Sequence, residues 1–218
     1  MSEHWAGRVE PPLFDDRCDA GRQLAAAIGP REGPLIVDGL ARGGVPVAAE
    51  VARALGAPLD ALVVRKIGHP EEPELALGAL ARGHVVLLDD LGDAGEGPPL
   101  SGHVEAVAEQ ARRLDASLHA QIAPLDPGGA ICLLVDDGLA TGASMTAACR
   151  WARAHDAAEV VVAVPVAASE TLERLAGEAD EVVCPHPIDD FGAVSPWYRD
   201  FSQVSEREVI DAVQGVRT

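Results

Sequence analysis

A short aliphatic run, a turn and an alanine-rich helical stretch recur along this chain, and that alternation narrows its fold more than any other feature. Leu35-Ile36-Val37 leads through Gly39 into the loop Arg42-Gly43-Gly44, and Pro46 then opens a helical pattern that Gly56 closes. Proline suits a first turn, whose donors are unused, and glycine suits the left-handed cap beyond the end. Leu59 to Val64, Val85 to Leu88, Ile131 to Val135, Glu159 to Val164 and Glu181 to Cys184 read as further strands. From Ser101, Val104, Val107, Ala111, Leu114 and Leu118 fall on one face of an amphipathic helix. Ser144 to Ala154 reads as another, and Ser169 is expected to cap a short one ending at Gly177. Strands alternating with helices predict an α/β fold: a parallel sheet flanked by helices. Ile131-Cys132-Leu133-Leu134-Val135 is apolar on both faces, as a central parallel strand must be. Such sheets take ligands beyond the carboxyl ends of their strands, so the turns that follow the strands become the candidates.

Composition excludes several functions. The 218 residues carry 17 basic and 35 acidic side chains, a net charge of −18, which repels a nucleic-acid backbone. The expectation is therefore no nucleic-acid partner. No apolar run approaches the roughly 18 residues of a membrane span, so no membrane partner is expected either. The stretch from Met1 to Asp19 lacks a signal-peptide core, and the four cysteines form no C-x-x-C pair. A reduced, cytoplasmic protein is the expectation. The size suits one domain over residues 1–218. Lys66 is the only lysine.

The strongest signal is Val135-Asp136-Asp137-Gly138-Leu139-Ala140-Thr141-Gly142-Ala143-Ser144. Two adjacent carboxylates leave the end of a buried strand, and a turn of small residues carries two hydroxyls to the mouth of a helix. Backbone N–H groups of such a turn and of a helix N-terminus favour an anion. Asp136 and Asp137 can accept hydrogen bonds from sugar hydroxyls or hold a hydrated Mg²⁺. Any one element is an ordinary acidic turn with a Ser/Thr cap; the ordered set points to a phosphate-ribose site.

This segment resembles the phosphoribosyl-pyrophosphate (PRPP) motif of type I phosphoribosyltransferases, in which an apolar strand, two acids and a Thr-Gly-x-Thr/Ser turn follow in order. Ala41-Arg42-Gly43-Gly44-Val45-Pro46 is similar to the family's pyrophosphate loop. Val64-Arg65-Lys66-Ile67-Gly68, Pro73-Glu74-Leu75-Ala76-Leu77-Gly78, Phe191-Gly192-Ala193-Val194, Trp197-Tyr198 and Phe201-Ser202-Gln203-Val204 resemble an uncharacterised bacterial branch. The likeness runs from about Asp16 to Val209. It implies transfer of phosphoribosyl from PRPP to a nitrogen acceptor, a nucleobase or related heterocycle, with release of pyrophosphate and dependence on Mg²⁺. Asp136 and Asp137 would hold the ribose hydroxyls and, through water, the metal. Gly138, Leu139, Ala140, Thr141, Gly142, Ala143 and Ser144 would form the 5-phosphate loop. Ala41, Arg42, Gly43 and Gly44 would face the pyrophosphate, with a cis peptide expected at Ala41–Arg42. Arg42 and Lys66 join the two aspartates as the catalytic set. Phe191 and Trp197, in a small hood at about 185–205, are the acceptor-side candidates, with packing of the hood on the sheet as the competing reading for Trp197 and Tyr198. A homodimer serving nucleotide salvage goes with this reading. Ala41 stands where close relatives are expected to have proline.

Competing readings stay open. The alternative function is a PRPP or nucleotide sensor without catalysis, and a third is another Mg²⁺-dependent phosphate enzyme on the same sheet. Asp89-Asp90 imitates the motif's first half but lacks its turn, and Gly92 to Gly102 reads as loop. Gly68 to Arg82 is expected as a mobile loop that closes the site. Asp189-Asp190 reads as solvated turn acids, with a weaker reading beside the substrate pocket, and His69 as a surface loop residue ahead of a substrate contact. His186, two residues after Cys184, suggests a metal pair, but two ligands without partners do not make a zinc site.

Overall fold

The computed structural model describes residues 11–68, 76–82, 84–87 and 98–217. Helix α1 (Arg17–Ile28) is capped by the Asp16 carboxylate, which accepts from the Asp19 amide at 2.7 Å. Then come β1 (Leu35–Ala41), α2 (Gly44–Leu55), β2 (Leu59–Gly68), β3 (Ala76–Ala81), β4 (His84–Leu87) and α3 (Pro98–His119). The second half supplies β5 (Ile131–Val135), α4 (Ala143–Ala154), β6 (Glu159–Ala163), β7 (Val166–Ala168), α5 (Ser169–Leu175), β8 (Glu181–Val183) and β9 (His186–Ile188). A 3-10 turn (Ser195–Trp197) and helix α6 (Glu206–Arg217) complete the order.

Seven strands form one sheet in the order β4-β3-β2-β1-β5-β6-β8. The five from β2 to β8 are parallel, whereas β3 and β4 run antiparallel, so the sheet is mixed at one edge. That edge corrects the expectation of a loop over Gly68 to Arg82. Ala76–Ala81 is β-sheet, paired with β2 on one side and β4 on the other. Residues 69–75, with His69, lie outside the described residues, as do Asp89 and Asp90. Helix α3 begins at Pro98, inside the stretch expected as loop. Ser169 is the first residue of α5 rather than its cap; its hydroxyl donates instead to Asp189 at 2.7 Å. Gly56 does cap α2 in the left-handed conformation, φ 62°.

Apolar clusters cover both faces of the sheet. One joins Leu24, Val45, Val51, Leu114, Leu118 and Val213 to Val37, Leu59, Val63 and Leu133. The other packs Met145, Cys149, Trp151 and Leu175 against Leu40, Leu62, Leu134 and Val162. Each central strand is therefore buried on both sides, which is why its sequence is apolar throughout. A third cluster gathers Phe14, Val166, Ile188, Phe191, Trp197 and Tyr198 around the short β7–β9 pair. All four cysteines are free thiols.

The topology also sets the position of the site. β1 lies between β2 and β5, and the chain leaves β1 toward β2 but later returns on the other side as β5. The strand order reverses between β1 and β5, and there two neighbouring turns diverge and leave a crevice. Val135 ends β5 opposite Gly39, while β1 continues two residues further to Ala41. The turn after β1 thus overhangs the acids after β5.

Candidate active site

Two strand ends and three helix starts meet in one cavity of about 260 Å³. Its lining is Arg17, Leu40, Ala41, Arg42, Gly43, Val64, Asp136, Asp137, Ser144 and Phe201. The sequence expected Ala41 to Gly43 and Asp136, Asp137 and Ser144 to share a site, and the fold brings them together. The Ala41–Arg42 peptide bond is cis.

Close approach explains the paired glycines. A Cβ on Gly43 would stand 2.4 Å from Asp137 Oδ2, and one on Gly44 would stand 2.6 Å from the Val135 carbonyl oxygen and 2.8 Å from Asp136 Cα. No larger residue lets the turn after β1 lie this near the acid pair. Across the cavity, Gly142 precedes α4 with φ 76°, a conformation that favours glycine. It turns the chain so that Ser144, in the first turn of α4, faces the cavity. The turn is braced from below. The fully buried Thr171 hydroxyl donates to the Ala140 carbonyl at 2.6 Å and accepts from Arg174 Nη2 at 2.9 Å.

Electrostatics single out the acid pair. Burial pushes the Asp136 carboxyl well above the usual range, and the charge of Asp137 pushes it further. Burial raises Asp137 as well, while Arg17 pulls it back through its charge and a hydrogen bond. Arg17 Nε donates to Asp137 Oδ2 at 2.8 Å. Tyr198 donates its hydroxyl to the Asp137 carbonyl oxygen, so both ends of this residue are held. The donor set is all oxygen and partly enclosed, which suits a hard cation such as Mg²⁺. Among the described residues no three acidic, histidine or cysteine side chains converge as a metal cage, so such an ion would complete its shell with ligand oxygens and water.

Other expected residues lie elsewhere. Lys66 is inside β2, opposite Ala79, rather than after the strand. It shares the face of Val64, next along the strand from the cavity wall, because alternate residues point the same way. Phe191 and Trp197 are buried and stacked on each other, ring centroids 5.9 Å apart, outside the cavity lining. Among the described residues, the aromatic ring in the cavity wall is Phe201. His186 packs its ring on Phe14 at 5.7 Å. Sequence reasoning missed Arg17. A signal existed: a cation in the first turn of a helix opposes the helix dipole, so it needs another reason to be there.

Comparison with known proteins points to a family. The phosphoribosyl transferase domain model matches residues 101–202, which include the acid pair and its turn. Two Mycobacterium tuberculosis proteins, "Putative phosphoribosyl transferase MT0597" and "Putative phosphoribosyl transferase Rv0571c", are each 47% identical over 206 residues. Those matches cover 91% of this chain and 46% of each relative, so the chain spans about half the length of these curated relatives. The crystal structure of TT1426 from Thermus thermophilus is 40% identical, covering 93% of this chain and 98% of that one, with a TM-score of 0.79. No described helix is long and apolar enough to cross a membrane.

Proposed function

Because the chain belongs to the phosphoribosyltransferase family, we propose that it transfers the phosphoribosyl group of PRPP to a nitrogen acceptor and releases pyrophosphate. The observation that carries this reading is the meeting of the Asp136-Asp137 pair, the Gly43-Gly44 turn and Ser144 at the start of α4 around one cavity. In the reaction, the bond from the anomeric carbon to the pyrophosphate oxygen breaks, and its electron pair leaves with pyrophosphate. The acceptor nitrogen donates its lone pair to the same carbon and loses a proton. Bond breaking runs ahead through an oxocarbenium-like state, as in glycoside cleavage, so no covalent enzyme intermediate is needed.

Each residue then has a job. Asp136 and Asp137 hold the ribose hydroxyls and keep the anomeric carbon in line. Residues Gly138 to Ser144 receive the 5-phosphate on backbone amides, the α4 N-terminus and the Thr141 and Ser144 hydroxyls. Arg42, with the Gly43 and Gly44 amides, meets the charge that develops on the departing pyrophosphate. Lys66 is assigned to the same side, and Phe191 and Trp197 to the hood that shapes the acceptor's surroundings. Bound near Asp136 and Asp137, Mg²⁺ supplies charge neutralisation for the pyrophosphate oxygens. A cytoplasmic homodimer in nucleotide salvage completes the proposal.

The test is a pyrophosphate-release screen with PRPP, Mg²⁺ and a panel of nitrogen heterocycles. The expected result is release with one acceptor class and none from the Asp136→Asn, Asp137→Asn double variant, whose thermal unfolding stays close to that of the parent. Saturable PRPP binding with no release on any acceptor would replace the enzyme with a sensor. Undiminished release by the double variant would remove the assignment of the acid pair.

A further inference from the structure

The cavity wall contains one cation that the motif does not explain, and two other segments of the chain fix it in place. Arg17 rises from the first turn of α1, and its side chain is only 11% exposed. Nε donates to Asp137 Oδ2 at 2.8 Å, and Nη1 donates to the Ser202 carbonyl at 2.7 Å. The guanidinium carbon lies 3.9 Å from the centroid of the Phe201 ring. The remaining nitrogen, Nη2, lies 3.5 Å from the point where a Cβ of Gly43 would stand, on the side of the turn after β1. It makes no hydrogen bond to a described residue.

We infer that Arg17 is a positioning residue for phosphoribosyl transfer. It sets the Asp137 carboxylate with one edge of its guanidinium and offers Nη2 to the pyrophosphate side of the cavity. The inference rests on the function proposed above. Three constraints act on one planar group: a carboxylate at Nε, a backbone carbonyl at Nη1 and an aromatic face beneath. Together they leave little rotation, so the geometry exists before substrate arrives, which is what makes electrostatic assistance effective. Tyr198 and Ser202 both belong to the segment after Trp197, and they reach Asp137 directly and through Arg17. That segment is therefore joined to the acid pair at two points. Arg17 also halves the local negative charge that an anionic ligand meets at the two aspartates. A lysine keeps the charge but not the fork, because a single ammonium cannot serve three directions in one plane.

The test uses Arg17→Ala and Arg17→Lys in the full chain, with PRPP binding by calorimetry and pyrophosphate release as separate readouts. Arg17→Ala is expected to weaken PRPP binding by about tenfold and kcat/KM by about 100-fold, the size of effect that a misplaced reacting group produces. Arg17→Lys is expected to recover most of the binding and little of kcat. Guanidinium ion at a few tens of millimolar, far below denaturing levels, is expected to restore part of kcat in Arg17→Ala and none in Arg17→Lys. A purely structural role would lower the folded fraction and leave KM, binding affinity and guanidinium response unchanged. That pattern, or wild-type behaviour in both variants, would overturn the inference. PRPP binding by the parent without release would remove the transferase reading yet leave the binding arm decisive for Arg17. A parent that does not bind PRPP would end both.

Discussion

Gly43→Ala is the substitution whose effect the structure defines most narrowly. Gly43 has φ −61° and ψ −37°, which any residue adopts, so the methyl adds no backbone strain. All of the effect comes from the space the methyl needs. Its Cβ would stand 2.4 Å from Asp137 Oδ2, against the roughly 3.5 Å that a relaxed contact needs, so the oxygen must retreat by about 1 Å. That oxygen is the one that accepts from Arg17 Nε at 2.8 Å. Retreat breaks this bond or pulls Arg17 from the face of Phe201. A displacement of about 1 Å at a reacting group costs on the order of 100-fold in rate. The stability cost is smaller, because a carboxylate at the end of a side chain can swing aside; losing one charge-assisted hydrogen bond costs about 1.5–3 kcal/mol.

Gly44→Ala is the control. Its Cβ would meet the Val135 carbonyl oxygen at 2.6 Å and Asp136 Cα at 2.8 Å, both backbone atoms at the end of β5. These cannot swing aside, and overpacking against them costs about 3 kcal/mol or more. The expected order is therefore opposite for the two properties: Gly43→Ala keeps more stability than Gly44→Ala but still loses about 100-fold in kcat/KM. Thermal unfolding and pyrophosphate-release kinetics measure both. Adding Gly43→Ala to Asp137→Ala should cost nothing more in rate, since the clashing atom is gone. Wild-type kcat/KM in Gly43→Ala, or a larger loss of stability there than in Gly44→Ala, would refute the reasoning.

Asp38 is 1% exposed and faces Asp60 across β1 and β2, with Cys132 Sγ donating to it at 3.3 Å; burial first and the charge of Asp60 second push its pKa up to about 6. A raised folded pKa stabilises below the unfolded value near 3.8 and loses that contribution as pH climbs through about 6, a cost of about 3 kcal/mol at neutral pH. Asp38→Asn should therefore raise Tm by several degrees at pH 8 and by almost nothing at pH 4, and a pH-independent shift would count against it. Thr171→Val leaves the Ala140 carbonyl and Arg174 without their shared partner, so ribose 5-phosphate should bind about threefold to tenfold more weakly by calorimetry. Unaltered binding would separate α5 from the proposed 5-phosphate loop. At constant Mg²⁺, raising NaCl from about 10 to 150 mM shortens the Debye length from about 30 to 8 Å. KM for PRPP should fall over this range as the long-range repulsion of a −18 chain is screened, and a steady rise would show that local cations dominate instead.

What the sequence made legible follows from how each element is stabilised. Ile131–Val135 was readable because a strand covered on both faces has to be apolar at every position, and the two acids beyond it stand out against that run. β3 was not. Ala76-Leu77-Gly78-Ala79-Leu80-Ala81 has no β-branched residue, so local propensity argues against a strand; pairing with β2 and β4 on its two sides decides the matter. The same pairing carries β2 past Arg65 and Lys66, where the charges suggested that the strand had ended. Arg17 escaped notice for a related reason. Its role depends on a carboxylate 120 residues away and a carbonyl 185 residues away, and no spacing rule links positions that only the fold brings together.

The charge of the chain then takes a different meaning at the site than over the surface. Among the described residues, two aspartates and two arginines, Arg17 and Arg42, are the charged residues of the cavity wall, so their formal charges cancel there. A ligand with several phosphate oxygens therefore meets a wall near neutrality within a few ångströms, although the molecule as a whole repels it. Exposed acids farther than about 8 Å away are largely screened at physiological ionic strength, whereas an enclosed pair is not. The sign of the nearest groups thus outweighs the sign of the total. On the proposed reading, anion recognition then rests on position rather than on number: Arg17 is fixed between a carboxylate, a carbonyl and a ring, and Arg42 stands in the turn directly after β1. A surface richer in lysine would raise encounter rates but add nothing to the geometry at the anomeric carbon, where the proposed transfer would be decided.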